Sequence, residues 1–407
     1  MDLTTLITLL SLITGGIALD GYMNPRTLVV HLVHDGAHPG AGHTTDFVAG
    51  TVNFEIGQMT AVRSLFARPR IDPPDKKGFV GAFGDVTGTT AIFDVIESTF
   101  QSTPNTITFG VFNDSGKFKV HVYGVAAHAA GANARFEVTV TQADGESAVD
   151  TLERATVMGA AQIDPYLAML YELAELDRTG HAHNAAEALA IFQTAKSDIL
   201  PSTESLLLAR LQNLQGLVYL IRGQLDLASA AFASALGYVP RGSNDPTPVI
   251  LQLNKAFVDV ARNDPDSAAA ELAQVTAATN NFQNLLGAKF LSSEGVAYSL
   301  TPADVDSLQD AHDIISAYVA LRRNNMGEAE AIAKSVLLTN PRRANTVALL
   351  ADIEGMRGNQ VDERALRNSA VRVSYAANPF LEIVLMHARL SFTKDTVSVQ
   401  PSQYILR

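Results

Sequence analysis

The stretch LQGLVYLIRGQLDLASAAFASALGYVP, residues 214–240, decides the fold. Its small, aromatic and helix-ending residues stand where a pair of antiparallel helices needs them. Gly216 and Ala228 carry almost no side chain and let the two helices approach closely. Tyr219 and Phe232 fill the space between neighbouring pairs, and Gly223 and Ala235 complete the spacing. Pro240 cannot continue a helix and ends the second one.

Weaker copies flank this unit. Upstream, Ala188, Phe192 and Ala195 repeat the second-helix pattern after the longer turn DRTGHAHN at 177–184. Downstream, Ala256, Ala268 and Leu272 take equivalent places, followed by Ala317, Ala329 and Pro341, and then by Gly358 and Ala370. Pro240 and Pro341 lie 101 residues apart, close to three units of about 34 residues. The pattern resembles the tetratricopeptide repeat (TPR) and spans residues 165–395. It is sharp in one repeat and degenerate in the others, and the chain has no tryptophan for the family's aromatic first-helix position. The resemblance implies an all-α solenoid of four to six helix pairs over residues 147–407. Asp164 followed by Pro165 makes its entry, an N-cap and a proline at the first helical position. Residues 279–306 lack the signature but keep helical character, which predicts a distorted pair. FLEIVLMHARLSF at 380–392 predicts a closing helix.

Upstream of the repeats, residues 27–146 alternate strand and helix signals. TLVVHLVH (27–34) is apolar and β-branched, a strand, and the amphipathic stretch from Thr44 to Phe66 predicts a helix. The proline-rich ARPRIDPPDKKG breaks the pattern before a short strand, FVGAF (79–83), and a helix, TTAIFDVIESTF (89–100). Three β runs close the region: TITFGVF (106–112), KFKVHVYGV (117–125) and ARFEVTVTQ (134–142). NDSG between the first two is a hairpin turn, because Asn, Asp and Gly tolerate positive φ. The expectation is a small α+β domain, a mixed sheet with helices on one face.

Residues 1–26 form a third segment. Leu3 to Leu19 holds 17 uncharged residues, roughly 25 Å of helix and the lower limit for crossing a bilayer. Tyr22 suits an interfacial position. The expectation is an N-terminal apolar helix acting as a single-pass membrane anchor. A cleaved signal peptide and a buried amphipathic helix are the rivals; the first lacks a preceding Lys or Arg and a clean cleavage site. Asp2 and Arg26 flank the run and leave its orientation open.

Composition narrows the function. The 407 residues are 47% hydrophobic and 18% charged, with a net charge of −12. Acidic outnumber basic residues 16 to 10 up to Met158 and 26 to 20 beyond it, with no basic cluster for nucleic acid. The absence of cysteine excludes disulfides and thiolate metal sites.

The loop AHPGAGHT (37–44) has the outline of a phosphate-binding loop, with Ala37, Gly42 and Thr44 in place, but His43 stands where lysine must be. A neutral imidazole cannot hold the β- and γ-phosphates. His31, His34, His38 and His43 with Asp35 are all metal-ligating types, yet their spacing fits no common motif. In a strand His31 and His34 point to opposite faces. No nucleophile elbow, zinc-protease motif or dinucleotide fingerprint occurs. Asp94 and Glu97 read as a solvated helical face. The expectation is therefore no enzyme, no cofactor and no metal.

Carried onto this chain, the ligand-facing positions of the TPR family fall on Arg210, Asn213, Leu217 and Leu220. The next unit gives Leu253, Phe257 and Val260, and a later one Ile314, Tyr318, Leu321 and Arg322. The resemblance implies a concave, mostly apolar groove for an apolar or amphipathic segment of another protein. A segment of the same chain filling the groove is the competing expectation. The sum is a bacterial-type, membrane-tethered interaction scaffold. Two alternatives stand beside it. In one, the N-terminal domain senses a ligand or metal and the solenoid reports its state. In the other, the chain is a self-associating structural component of an envelope assembly.

Overall fold

The computed structural model describes residues 29–34, 45–62, 64–66, 106–114, 116–127, 133–199, 204–240, 245–279, 282–286, 289–291, 297–339, 344–372, 381–393 and 396–401. The apolar run Leu3–Leu19, the 37–44 loop with His38 and His43, Asp35, FVGAF, and the 89–100 helix with Asp94 and Glu97 lie outside those residues, as do the side chains of His31 and His34. The chain divides into two compact units. Unit 1 comprises Met1–Ala61 and Pro69–Ala168, and unit 2 comprises Val62–Arg68 and Met169–Arg407.

Unit 1 is built on a four-stranded sheet in sequence order: β1 (Val29–His34), β2 (Thr106–Asp114), β3 (Lys117–Ala127) and β4 (Asn133–Thr141). β1 runs parallel to β2, and the remaining pairs are antiparallel. The three C-terminal β runs are thus strands, and the NDSG turn places Gly116 at φ 81. Alternation sorts the faces: Ile107, Phe109 and Val111 on β2 and Val120 and Val122 on β3 are buried together. Helix α1 (Thr45–Ala61) buries Val48, Val52, Ile56 and Met59 at helical spacing. Helix α2 (Ala148–Ala161) starts at a capping box between Ser147 and Asp150 and packs on β3, β4 and α1. Its Gly159 sits so close to Val122 that a Cβ would lie 2.7 Å from it. This helix belongs to the sheet unit, which therefore runs past residue 146.

Unit 2 is mostly helical. Asp164 caps α3 (Pro165–Thr179), accepting a hydrogen bond from the Leu167 N–H at 3.0 Å. α4 (Ala182–Asp198) follows, held to α3 by a hydrogen bond from Asn184 to Glu172. Four further pairs succeed them: α5 (Ser205–Ile221) with α6 (Leu225–Tyr238), α7 (Thr247–Ala261) with α8 (Pro265–Thr279), α9 (Pro302–Arg322) with α10 (Met326–Thr339), and α11 (Ala344–Met356) with α12 (Gln360–Arg372).

One turn geometry joins all four pairs. Gly223, Asn263, Asn324 and Gly358 occupy the left-handed region, at φ 71, 67, 61 and 82. In each turn the next N–H donates to the carbonyl five residues back, from Gln224 to Tyr219, Asp264 to Asp259, Asn325 to Ala320 and Asn359 to Glu354. The arginine at three of the four turns links successive pairs: Arg262 to Asp226 at 2.9 Å, Arg323 to Asp266 at 2.6 Å, and Arg357 to Glu330.

The two helices of a pair bury different amounts of surface. α6 buries one stripe, Ala228, Ala231, Phe232 and Ala235, whereas α5 and α7 are buried almost all round. Gly216 makes the α5–α6 approach possible, since a Cβ there would stand 2.4 Å from the Phe232 ring.

Two expectations are corrected. Residues 279–306 are not a helix pair: a short 3-10 turn, Phe282–Leu285, leads to a hairpin of β5 (Lys289–Leu291) and β6 (Ala297–Ser299) before α9 begins. The 101 residues between Pro240 and Pro341 therefore hold two helix pairs and this insertion. FLEIVLMHARLSF is not a closing helix either. After a 3-10 turn at Val384–Met386 it becomes β7 (Ala388–Phe392), paired with β8 (Val397–Pro401). Its burial alternates, with Ala388, Leu390 and Phe392 inward, a period of two that no helix satisfies.

Candidate polypeptide-binding face

The face formed by the first helices of successive pairs is a counted register. Asn213, Leu217 and Leu220 stand ten, six and three residues before the left-handed Gly223. Leu253, Phe257 and Val260 stand in the same places before Asn263, and Ile314, Tyr318 and Leu321 before Asn324. Continued to Gly358, the count reaches Ala348, Asp352 and Gly355.

Ten of the eleven residues expected to face a partner, from Arg210 to Leu321, are at most 3% exposed. The eleventh, Arg322, is half-buried, bonds the side chain of Asn263 at the neighbouring turn, and is held below the usual guanidinium pKa by burial. The face is thus not open solvent-facing surface. Over Asn213 and Tyr318 it is met by residues 381–392 of the same chain.

Asparagine amides carry that meeting. Asn213 Nδ2 donates to the Glu382 carbonyl at 3.0 Å, and Asn254 Nδ2 donates to the same oxygen at 2.9 Å. Asn254 also donates to Asn213 Oδ1 at 2.8 Å and accepts the Val384 N–H on its own Oδ1 at 2.8 Å. These four contacts fix both amide orientations, since the carbonyl needs a donor and the N–H an acceptor. Farther along, Asn345 Nδ2 donates to the Leu385 carbonyl at 2.6 Å. Three helices, α5, α7 and α11, therefore hold the main chain of residues 382–385.

Side chains of the segment are held as well. Glu382 is fully buried, and its Oε1 accepts from the Leu65 N–H at 3.0 Å and from Ser64 Oγ. Beside it, the Arg210 guanidinium lies 4.1 Å over the Phe66 ring and pairs with buried Asp245 at 2.6 Å. His387 Nε2 is 2.6 Å from the Leu381 carbonyl; a carbonyl only accepts, so this nitrogen carries the hydrogen. At the far end the Phe392 ring packs 5.5 Å from Tyr318, whose own ring meets Phe257 edge-on at 6.1 Å. The Phe392 N–H donates to Asp352 at 2.9 Å, and Arg367 pairs with the same carboxylate at 2.8 Å. Burial raises the Asp352 pKa against the opposing pull of Phe392 N–H, Arg367 and Arg389. Burial likewise pushes the Tyr318 phenol up.

Asn254, Asn345, Asp352 and the 64–66 stretch were not singled out by the sequence reading. Asn254 had a signal, as a polar residue inside the apolar helix TPVILQLNKAFVDVA; the register count alone reaches Asp352. Nothing in the sequence pairs Ser64 and Leu65 with Glu382, more than 300 residues away.

Unit 1 offers a lesser feature, a depression of about 430 Å³ lined by His121, Tyr123, Gly124, Arg135, Phe136 and Glu137. His121 and Glu137 are 3.1 Å apart across β3 and β4. Among the described residues no group of three or more His, Cys, Asp or Glu side chains is placed to hold a metal ion. Compared with protein families, curated proteins and solved structures, the chain matches none.

Proposed function

We propose that this chain is a non-catalytic protein-interaction scaffold, a TPR-like solenoid whose first-helix face receives a polypeptide segment, tethered to a membrane through Leu3–Leu19. One observation carries the reading. The buried amides of Asn213 and Asn254, on successive first helices, converge on a single main-chain carbonyl. A buried amide left without a partner is costly, so such residues persist where a backbone is there to satisfy them. The stacked pairs present a long surface of this kind without depending on a cleft.

The test is cross-linking mass spectrometry on the full chain isolated with its bound proteins. The expected result is one stoichiometric partner whose cross-links fall on unit 2, for example at Lys196, Lys255 or Lys334. Recovery of the chain with no partner above a mock isolation overturns the reading.

A further inference from the structure

Resting on that reading, we propose the partner's chemistry: a segment with a carboxylate side chain, a 3-10 turn and, ten residues after the carboxylate, an aromatic ring on a strand, whose place residues 381–392 hold in cis. The first ground is that the segment is read as backbone. The Glu382 carbonyl, the Val384 N–H and the Leu385 carbonyl are bonded by asparagines from three different helices. These are main-chain groups at and just before the 3-10 turn at Val384–Met386, so this part of the face reads backbone and not side chains.

The second ground is the pair of side-chain sites at the ends. The Leu65 N–H and Ser64 hydroxyl receive the Glu382 carboxylate, and Tyr318 receives the Phe392 ring. The third is composition. A segment that only filled space would be apolar, because taking a carboxylate and an imidazole out of water carries a large desolvation penalty. Glu382 and His387 are nevertheless 0% and 1% exposed. The Glu382 carboxylate on the Leu65 N–H and Ser64 hydroxyl, and the His387 ring on the Leu381 carbonyl, define what a competing segment must carry.

The test keeps the full chain and inserts a protease site between Arg372 and Leu381, cut after folding. The probe is a fluorescent peptide of this chain's own residues 381–401, followed by anisotropy, with circular dichroism recording the helices. The expected result is saturable exchange of the peptide into the cut chain, with the helical signal retained and no binding to the uncut chain. The peptide carrying Glu382→Ala or Phe392→Ala binds about tenfold more weakly or worse, as does the unaltered peptide to an Asn254→Ala chain. Should Asn254→Ala not fold, Asn345→Ala, which is half-buried, takes its place.

Loss of the helical signal on cutting, or a cut chain that never admits the peptide, overturns the proposal. So does equal binding of the altered peptides. A partner cross-linked elsewhere on the chain while the peptide fails to exchange leaves the scaffold reading standing and removes this one. Exchange without any captured partner shows that the segment is replaceable but removes the scaffold reading, and the partner with it.

Discussion

Gly216 shows how one residue sets the approach of a helix pair. A methyl group added there would meet the Phe232 ring at 2.4 Å, and that ring is fully buried and has nowhere to retreat. Gly216→Ala is therefore expected to lower stability by about 1–3 kcal/mol through overpacking, despite alanine's better helix propensity. A chemical denaturation series reads this directly, and a stabilised variant would mean that α5 and α6 are free to separate. The Gly216–Phe232 contact was legible for the same reason, since small and aromatic side chains at fixed offsets report contacts within a helix pair. What covers the first-helix face was not legible. Glu382 and Ser64 are partners only through the path of the chain, and no periodicity encodes a contact 318 residues long.

At the scale of elements, the turns are more alike from pair to pair than the helices are. Helix lengths vary and an insertion interrupts the series, yet the left-handed residue and its backward N–H bond recur in all four later pairs. Arginine follows the last helical residue each time, at Arg222, Arg262, Arg323 and Arg357, and three of the four tie their pair to the one before. One of these ties makes a pH prediction. Hydrogen bonds from Arg357 and Lys334 hold the Glu330 carboxyl at about 2, below its ordinary 4.5. A depressed carboxylate contributes its stability fully above the unfolded value and loses it as pH falls towards the folded one. Glu330→Gln should thus lower the Tm at pH 7, by less than about 4 °C for so accessible a pair. The gap should close as the pH is taken from 4.5 towards 2, and a gap of constant size across that range would remove the ion pair as its cause. Strand and helix identity was readable wherever burial is periodic, as in β2 to β4. It was misread at 380–392, where an unbroken apolar run hides whether its period is two or 3.6.

For the whole molecule, the proposed membrane tether makes a prediction of its own. Among the described residues no helix is long and apolar enough to cross one. The chain's net charge of −12 disfavours adsorption to anionic lipid. On the proposed reading attachment rests on Leu3–Leu19, and 17 uncharged residues span roughly 25 Å when helical. Burial of such a segment is hydrophobic, so it should resist high salt and alkaline carbonate, conditions that strip electrostatically bound proteins. The full chain is expected to sediment with membranes after both washes, and a chain lacking residues 1–26 to stay in the supernatant with unchanged circular dichroism. Release of the full chain by salt would point to a protein partner as the tether. A truncated chain that still sediments would place the attachment in residues 27–407, and either result would separate the scaffold's binding face from the membrane segment proposed for it.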